Sequence, residues 1–312
     1  MTEWLERKKL RRDIGSYGWA LLIYYLLMNL CVIAAVMIQS AIQMVMTGSM
    51  EMDEAALMGN GWGYLVSSVL AVVLIRLWKG RDFFHSLWKT EKPMTGGAFW
   101  RLLCVCISAQ LVFQILGTIT ELLLNLFGLS VLEAMQMATG GADTFSMFLY
   151  LSLGAPIVEE LIFRGLVLRG LEKYGRRFAI WASAFLFGIF HGNLIQSPYA
   201  FLVGLVLGYV AAEYNILWAM VLHMINNLVL GDTLPRITAW MGEMGSGLVQ
   251  WAVIYLCAAL ALVILIRNRK KIREYHRADL PDLAYVGAFA IAPGVILLTL
   301  LMLISAVSML ML

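Results

Sequence analysis

The stretch "GWALLIYYLLMNLCVIAAVMIQSAIQMVM", residues 18–46, contains no charged side chain. A helix needs roughly 20 apolar residues, at ~1.5 Å each, to cross the ~30 Å hydrocarbon core of a bilayer. This run exceeds that length and lacks a small-residue cleavage site, so it is expected to stay as a helix and not to be removed as a signal peptide. The rest of the chain has the same character. Its 312 residues are 61% hydrophobic and only 14% charged, with a mean hydropathy of +0.81. A soluble domain carries about 25% charged residues. The composition therefore predicts an all-α, polytopic integral membrane helix bundle with about eight or nine transmembrane helices.

Nine apolar stretches are candidate spans: about 18–46, 62–78, 98–128, 146–168, 178–192, 198–212, 216–231, 248–266 and 284–312. The three between 178 and 231 are short, reaching only some 22–24 Å. The chain divides on this reading into N-terminal transmembrane helices with an interfacial segment (1–145), a central core (146–231) and C-terminal transmembrane helices (232–312). The interfacial segment is "GRDFFHSLWKTEKP", residues 80–93, with Phe83, Phe84, Leu87 and Trp88 on one helical face beside basic neighbours. The outer segment "SVLEAMQMATGGAD", 130–143, reads as a second surface helix ended by Gly140 and Gly141. Pro293 and Gly294 should bend the last span.

Charge is distributed unevenly. Of the 23 Lys and Arg residues, all but Arg164 and Arg236 fall on one side of the nine-span arrangement. The loops 47–61, 129–145 and 192–197 contain none. By the positive-inside rule the N-terminus lies in the cytoplasm and the C-terminus outside, with the cell membrane as the expected location. The four cysteines (Cys31, Cys104, Cys106 and Cys257) sit inside predicted spans without metal-ligand spacing and read as structural thiols. His85 and His276 lie in basic connecting stretches and read as solvated or interfacial.

Ionisable side chains inside spans are costly and mark function. They are few here. The segment "GAPIVEELIFRG" (154–165) holds Glu159, Glu160 and Arg164. The next helix ends "FGIFH", with Phe187 and His191 four apart, and the seventh span has "HMINN", with His223 and Asn227 four apart. Counted along the helices, Glu159 lies roughly 15 Å from the basic side, His223 about 10 Å, Asn227 about 16 Å and His191 about 20 Å. Residues four apart share a helical face. Glu160 and Arg164 are therefore expected to form an ion pair that braces the helix. That leaves Glu159, rotated about 100° away, free for chemistry. Glu121, toward the outer part of the third span, and Glu213, in the tight turn "AEYN", complete the set. A lone intramembrane His or Asn is often only an interhelical hydrogen-bonder. Four such groups delivered to a similar depth by three helices are not explained that way.

The ordered set Glu-Glu-x-x-x-Arg (159–164), Phe-x-x-x-His (187–191) and His-x-x-x-Asn (223–227) resembles the CPBP (Abi) family of type II CAAX prenyl endopeptidases and bacteriocin-processing or immunity proteins. The resemblance covers roughly 146–231. It implies an intramembrane endopeptidase that cuts a peptide bond of a membrane-embedded or membrane-associated peptide or protein. Carried over, Glu159 would activate water, His191 would share that water, and His223 with Asn227 would hold the developing oxyanion. Glu160 and Arg164 would organise the first helix, and Phe187 would wall the site. Family members have been described both as metalloproteases and as metal-independent glutamate proteases. A zinc ion would fall to Glu159, His191 and His223, yet no His-Glu-x-x-His is present and neutral Asn is a poor zinc ligand. A desolvated Glu is a competent base and His and Asn donors suit an oxyanion, so the metal-free form, with no cofactor, is the expectation. The rivals are a non-catalytic immunity or scaffold protein and a transporter, the latter disfavoured because no internal repeat is present. No nucleic-acid partner is expected.

Overall fold

The computed structural model describes residues 2–48, 59–132, 135, 144–278 and 282–309, and among these it contains helices and no strand. Helix α1 (Thr2–Thr47) carries the charge-free stretch and the basic residues before it as one continuous rod. Helix α2 (Trp62–Leu87) is broken at Gly80, whose φ of 80° lies where a side chain would be strained. The break turns 81–87 onto the interface, where Phe83 and Phe84 pack on the core and Leu87 is buried. The segment expected from the sequence to lie at the interface is thus set at an angle to the rest of α2. Helix α3 (Gly96–Asn125) is capped by Thr95, whose hydroxyl accepts from the Ala98 N–H at 3.2 Å.

The centre of the bundle is built differently. Helix α4 (145–171) alternates α-helical turns with π-helical ones at Tyr150–Gly154 and Glu160–Leu168. Helices α5 (Arg176–Phe190), α6 (Gln196–Glu213) and α7 (Ile216–Asn227) follow, and α7 runs on through a π-helical segment, Leu228–Thr233, and the turn Leu234–Thr238. Helix α8 (Gly242–Ala278) is long, at 37 residues. Helices α9 (Leu283–Ala290) and α10 (Pro293–Ser308) meet at 57°, the bend expected from Pro293.

Two apolar cores meet at the centre. One joins α1, α2, α4, α5 and α10 through residues such as Leu21, Ile75, Phe163, Phe178 and Leu298. The other joins α3, α6 and α7 through Cys106, Leu207 and Leu222. Among the described residues, four helical stretches are long and apolar enough to cross a membrane: Leu5–Thr47, Trp62–Leu87, Gly96–Asn125 and Leu234–Tyr275. The bent α9–α10 pair makes a fifth if it counts as one span. This measure of length and composition does not fix the exact count of eight or nine. Helices α5 and α7 have only 15 and 12 residues. They are buried against other helices, and backbone sheltered by protein need not match the hydrocarbon thickness. The chain is an integral membrane protein by its helices, with a central group of shorter ones.

The basic clusters do gather at one end. Glu213, at the end of α6, pairs with Lys92 and Arg176, while Asp13 of α1 pairs with Lys173. These contacts hold the N-terminal part of α1, the α2–α3 link, the start of α5 and the α6–α7 turn together. Glu121 has another role. Its carboxylate accepts from the Val131 N–H at 2.8 Å and from the Ser130 hydroxyl, tying down the chain after α3. The surface helix expected at 130–143 lies mostly outside the described residues.

Candidate active site

Among the described residues Arg164 is the largest fully buried side chain, and its partners explain how the apolar interior holds it. Its Nη1 donates to Glu160 Oε1 at 2.9 Å, one helical turn away. Its Nη2 donates to the Gly204 carbonyl on α6 at 3.1 Å. The guanidinium also lies 4.4 Å from the centre of the Phe187 ring, a cation–π contact. Gly204 is what lets α6 come so near. A Cβ there would stand 3.1 Å from both Ala184 Cα and Phe187 Cδ1. Glu160 Oε2 and Arg164 Nε, also buried, have no hydrogen-bond partner.

Glu160 does more than neutralise Arg164. The same oxygen that accepts from Arg164 stands 2.9 Å from Nδ1 of His223. With a carboxylate at that distance, Nδ1 carries the proton. The other nitrogen, Nε2, faces Glu159 Oε2 at 3.7 Å. One imidazole thus bridges the two adjacent glutamates. Their inequality follows from the 100° step between neighbouring helical positions. The Glu160 side chain is fully buried in the ion pair, whereas that of Glu159 keeps 18% of its surface exposed.

His191 closes α5. Its Nδ1 contacts the Phe187 carbonyl at 2.8 Å, so Nε2 is left open, and Gly192 ends the helix with a φ of 55°. The Phe187 ring packs edge-on against both His191, at 4.9 Å, and His223, at 5.7 Å. It is a shared wall between the two imidazoles as well as a cover for Arg164. Asn227 sits one turn beyond His223, and its amide donates to the Leu151 carbonyl at 3.3 Å. Leu151 lies in the first π-helical segment of α4. In the second, the Phe163 carbonyl accepts from the Ser183 hydroxyl of α5. Widened turns leave carbonyls open to partners on other helices, which is why π segments recur at functional sites.

All seven residues singled out by sequence therefore lie on α4, α5 and α7 around one centre. Glu159, Glu160, Arg164, His223 and Phe187 form a contiguous set. His191 joins it through Phe187, and Asn227 is held against α4 one turn deeper. Several neighbours gave no signal in the sequence. Tyr24 of α1 and Tyr150 of α4 lie within electrostatic reach of Glu159. Tyr64 stacks on Tyr150 at 4.8 Å. Asn226, the residue beside Asn227, donates to the Tyr199 hydroxyl at 2.9 Å and is buried. Tyrosines in apolar spans are common at the interfaces, so nothing short of their tertiary position distinguishes these.

As to a metal, both imidazoles are anchored through Nδ1, with Nε2 of His223 turned toward Glu159, an orientation that serves a ligand or a base alike. Among the described residues, however, no three His, Cys, Asp or Glu side chains converge to hold an ion.

Residues 141–229, the stretch that carries the seven residues singled out by sequence, match the family described as type II CAAX prenyl endopeptidase Rce1-like. The match is consistent with a CPBP family intramembrane protease. No curated protein and no solved structure matches the chain.

Proposed function

We propose, for a chain whose residues 141–229 are Rce1-like, that it is an intramembrane endopeptidase in which Glu159 activates the hydrolytic water. The observation that carries this reading is the His223 ring held between two carboxylates, 2.9 Å from Glu160 and 3.7 Å from Glu159. Glu160 and Arg164 fix the imidazole, and Glu159 keeps the exposure that a water needs.

The steps follow from the chemistry of each group. Glu159 removes a proton from a water that also hydrogen-bonds His191 Nε2, and the hydroxide attacks the carbonyl carbon of a membrane-associated peptide. Charge builds on the carbonyl oxygen, where the Asn227 amide and His223 Nε2 donate. With Nδ1 committed to Glu160, Nε2 donates only when the ring is doubly protonated. The Asn227 amide turns from the Leu151 carbonyl to do so. Glu159 then returns its proton to the leaving amine. Preorganised donors of this kind are worth about 3–4 kcal/mol each in a site shielded from water. No step needs a metal, and none is derived through one.

The basic end of the bundle faces the cytoplasm on this reading, and the cell membrane is the location. The experiment is a quantitative comparison of membrane peptides in cells carrying the wild-type chain or Glu159→Gln. Full-length substrate should accumulate and its cleaved product disappear in the variant. If the two peptide inventories are the same while both proteins are present and folded, the endopeptidase reading fails and a binding or immunity role takes its place.

A further inference from the structure

A groove of about 670 Å³ runs along α1, between it, α2 and α4, and closes at Pro293 at the start of α10. Its two ends differ in chemistry. At the basic end of the bundle the lining residues are Lys8, Arg11 and Arg12, spaced so that they share one face of α1. Arg11 and Arg12 are exposed. Among the described residues no carboxylate pairs with either, since the nearby Asp13 is taken by Lys173 and Tyr174. Below them the lining turns apolar, with Ile23 and Leu27 on α1 and Leu74 on α2. Trp19 and Trp78 stand between the two zones, at the level where tryptophans mark the edge of the hydrocarbon. From Arg12 to Leu27 the groove follows α1 for roughly 22 Å, which spans a headgroup layer and one leaflet's acyl chains.

We infer that this groove is a binding site for one anionic phospholipid of the leaflet on the basic side, its phosphate between Arg11 and Arg12 and an acyl chain along Ile23, Leu27 and Leu74. Charge complementarity selects the lipid. Two guanidiniums without acidic partners favour a headgroup with net negative charge over a zwitterionic one, whose ammonium would be repelled. The position gives the lipid consequence. Ile162 and Leu166, on the same helix as Glu159 and Glu160, form the groove's inner wall, and Tyr24 at its deep side is the tyrosine within reach of Glu159. A lipid seated there packs on the helix that carries the candidate site. The inference stands apart from the proteolytic reading, because binding is measured without turnover.

The test is native mass spectrometry of the full chain released from mild detergent with equal amounts of phosphatidylglycerol and phosphatidylcholine of matched chains. The first lipid retained by the wild type should be phosphatidylglycerol, by roughly tenfold or more. Arg11→Gln with Arg12→Gln should erase that preference. Arg267→Gln with Arg269→Gln, which removes two charges from α8 well outside the groove lining, should keep it. Leu74→Trp fills the groove from its lipid-facing side without touching the charges and should lower retention of the first lipid. Each variant is compared only after its melting curve in detergent matches the wild type. Equal retention of the two lipids by the wild type overturns the site. A preference that survives the Arg11/Arg12 change, or falls equally in the Arg267/Arg269 control, also overturns it, because the attraction is then a property of the whole basic face.

Discussion

Glu159 and Glu160 are chemically identical neighbours with opposite surroundings, and the difference can be measured. Glu160→Gln removes the charge that Arg164 and His223 share, leaving a guanidinium buried without its counter-ion. Breaking a buried pair in this way costs about 3–5 kcal/mol. The variant should melt several degrees lower in detergent. Glu159→Gln faces only a 3.7 Å contact and residual exposure, so its melting curve should match the wild type while turnover is lost. A Glu160→Gln protein that melts normally but is inactive, beside an active Glu159→Gln, reverses the assignment of the base. Asn227 supplies a second comparison at this scale. Asn227→Ala should lower the rate about 10²–10³-fold, the cost of losing one oxyanion donor. Asn227→Asp has no N–H to donate and adds charge beside a developing one, so it should do no better. Retained activity in Asn227→Asp, together with about one zinc per chain by elemental analysis, would mean that the residue serves a metal after all.

The elements explain why these side chains meet. Helix α4 carries two π-helical segments, and each opens a carbonyl to another helix: Leu151 to Asn227 of α7, Phe163 to Ser183 of α5. Helix α6 approaches α5 through Gly204, whose carbonyl is Arg164's third support besides Glu160 and the Phe187 ring. Gly204→Val would drive a branched side chain into Ala184 and Phe187. Overpacking of this sort costs about 1–3 kcal/mol. It should also lower turnover, because the strain falls on Phe187, the wall shared by both imidazoles. Gly97→Ala on α3 meets open space and should leave both melting and turnover unchanged. Equal effects from the two changes would show that the close approach of α5 and α6 is not what positions the site.

For the molecule as a whole, the ion pairs of Glu213 and Asp13 bring residues far apart in sequence to one end of the bundle. Reporter fusions after residues 90, 174 and 272 should therefore read on the same side, inside on the proposed orientation. Fusions after 55, 137 and 312 should read outside. A C-terminal fusion that reads cytoplasmic would mean that α9 and α10 enter and leave the bilayer on one side, an arrangement their 57° bend allows.

The sequence by itself determined the membrane class and the long helices, and it singled out the seven polar or aromatic residues proposed as the site. Each of these rests on local chemistry. Hydrocarbon length, the absence of charge and spacing by four are properties of a single segment, so they survive without knowledge of its neighbours. The bend at Pro293 and the Glu160–Arg164 pair were legible for the same reason. Tertiary structure alone decided how many of the apolar stretches are long enough to span. Helix α7 continues past Asn227 through a π-helical segment to Thr238, and no single segment of sequence records what surrounds it. It also decided that His223 spans the two glutamates and that Asn227 rests on a carbonyl opened by a π turn. Those contacts join residues tens of positions apart. They depend on how the helices cross, which is set by packing over whole faces and not by any motif.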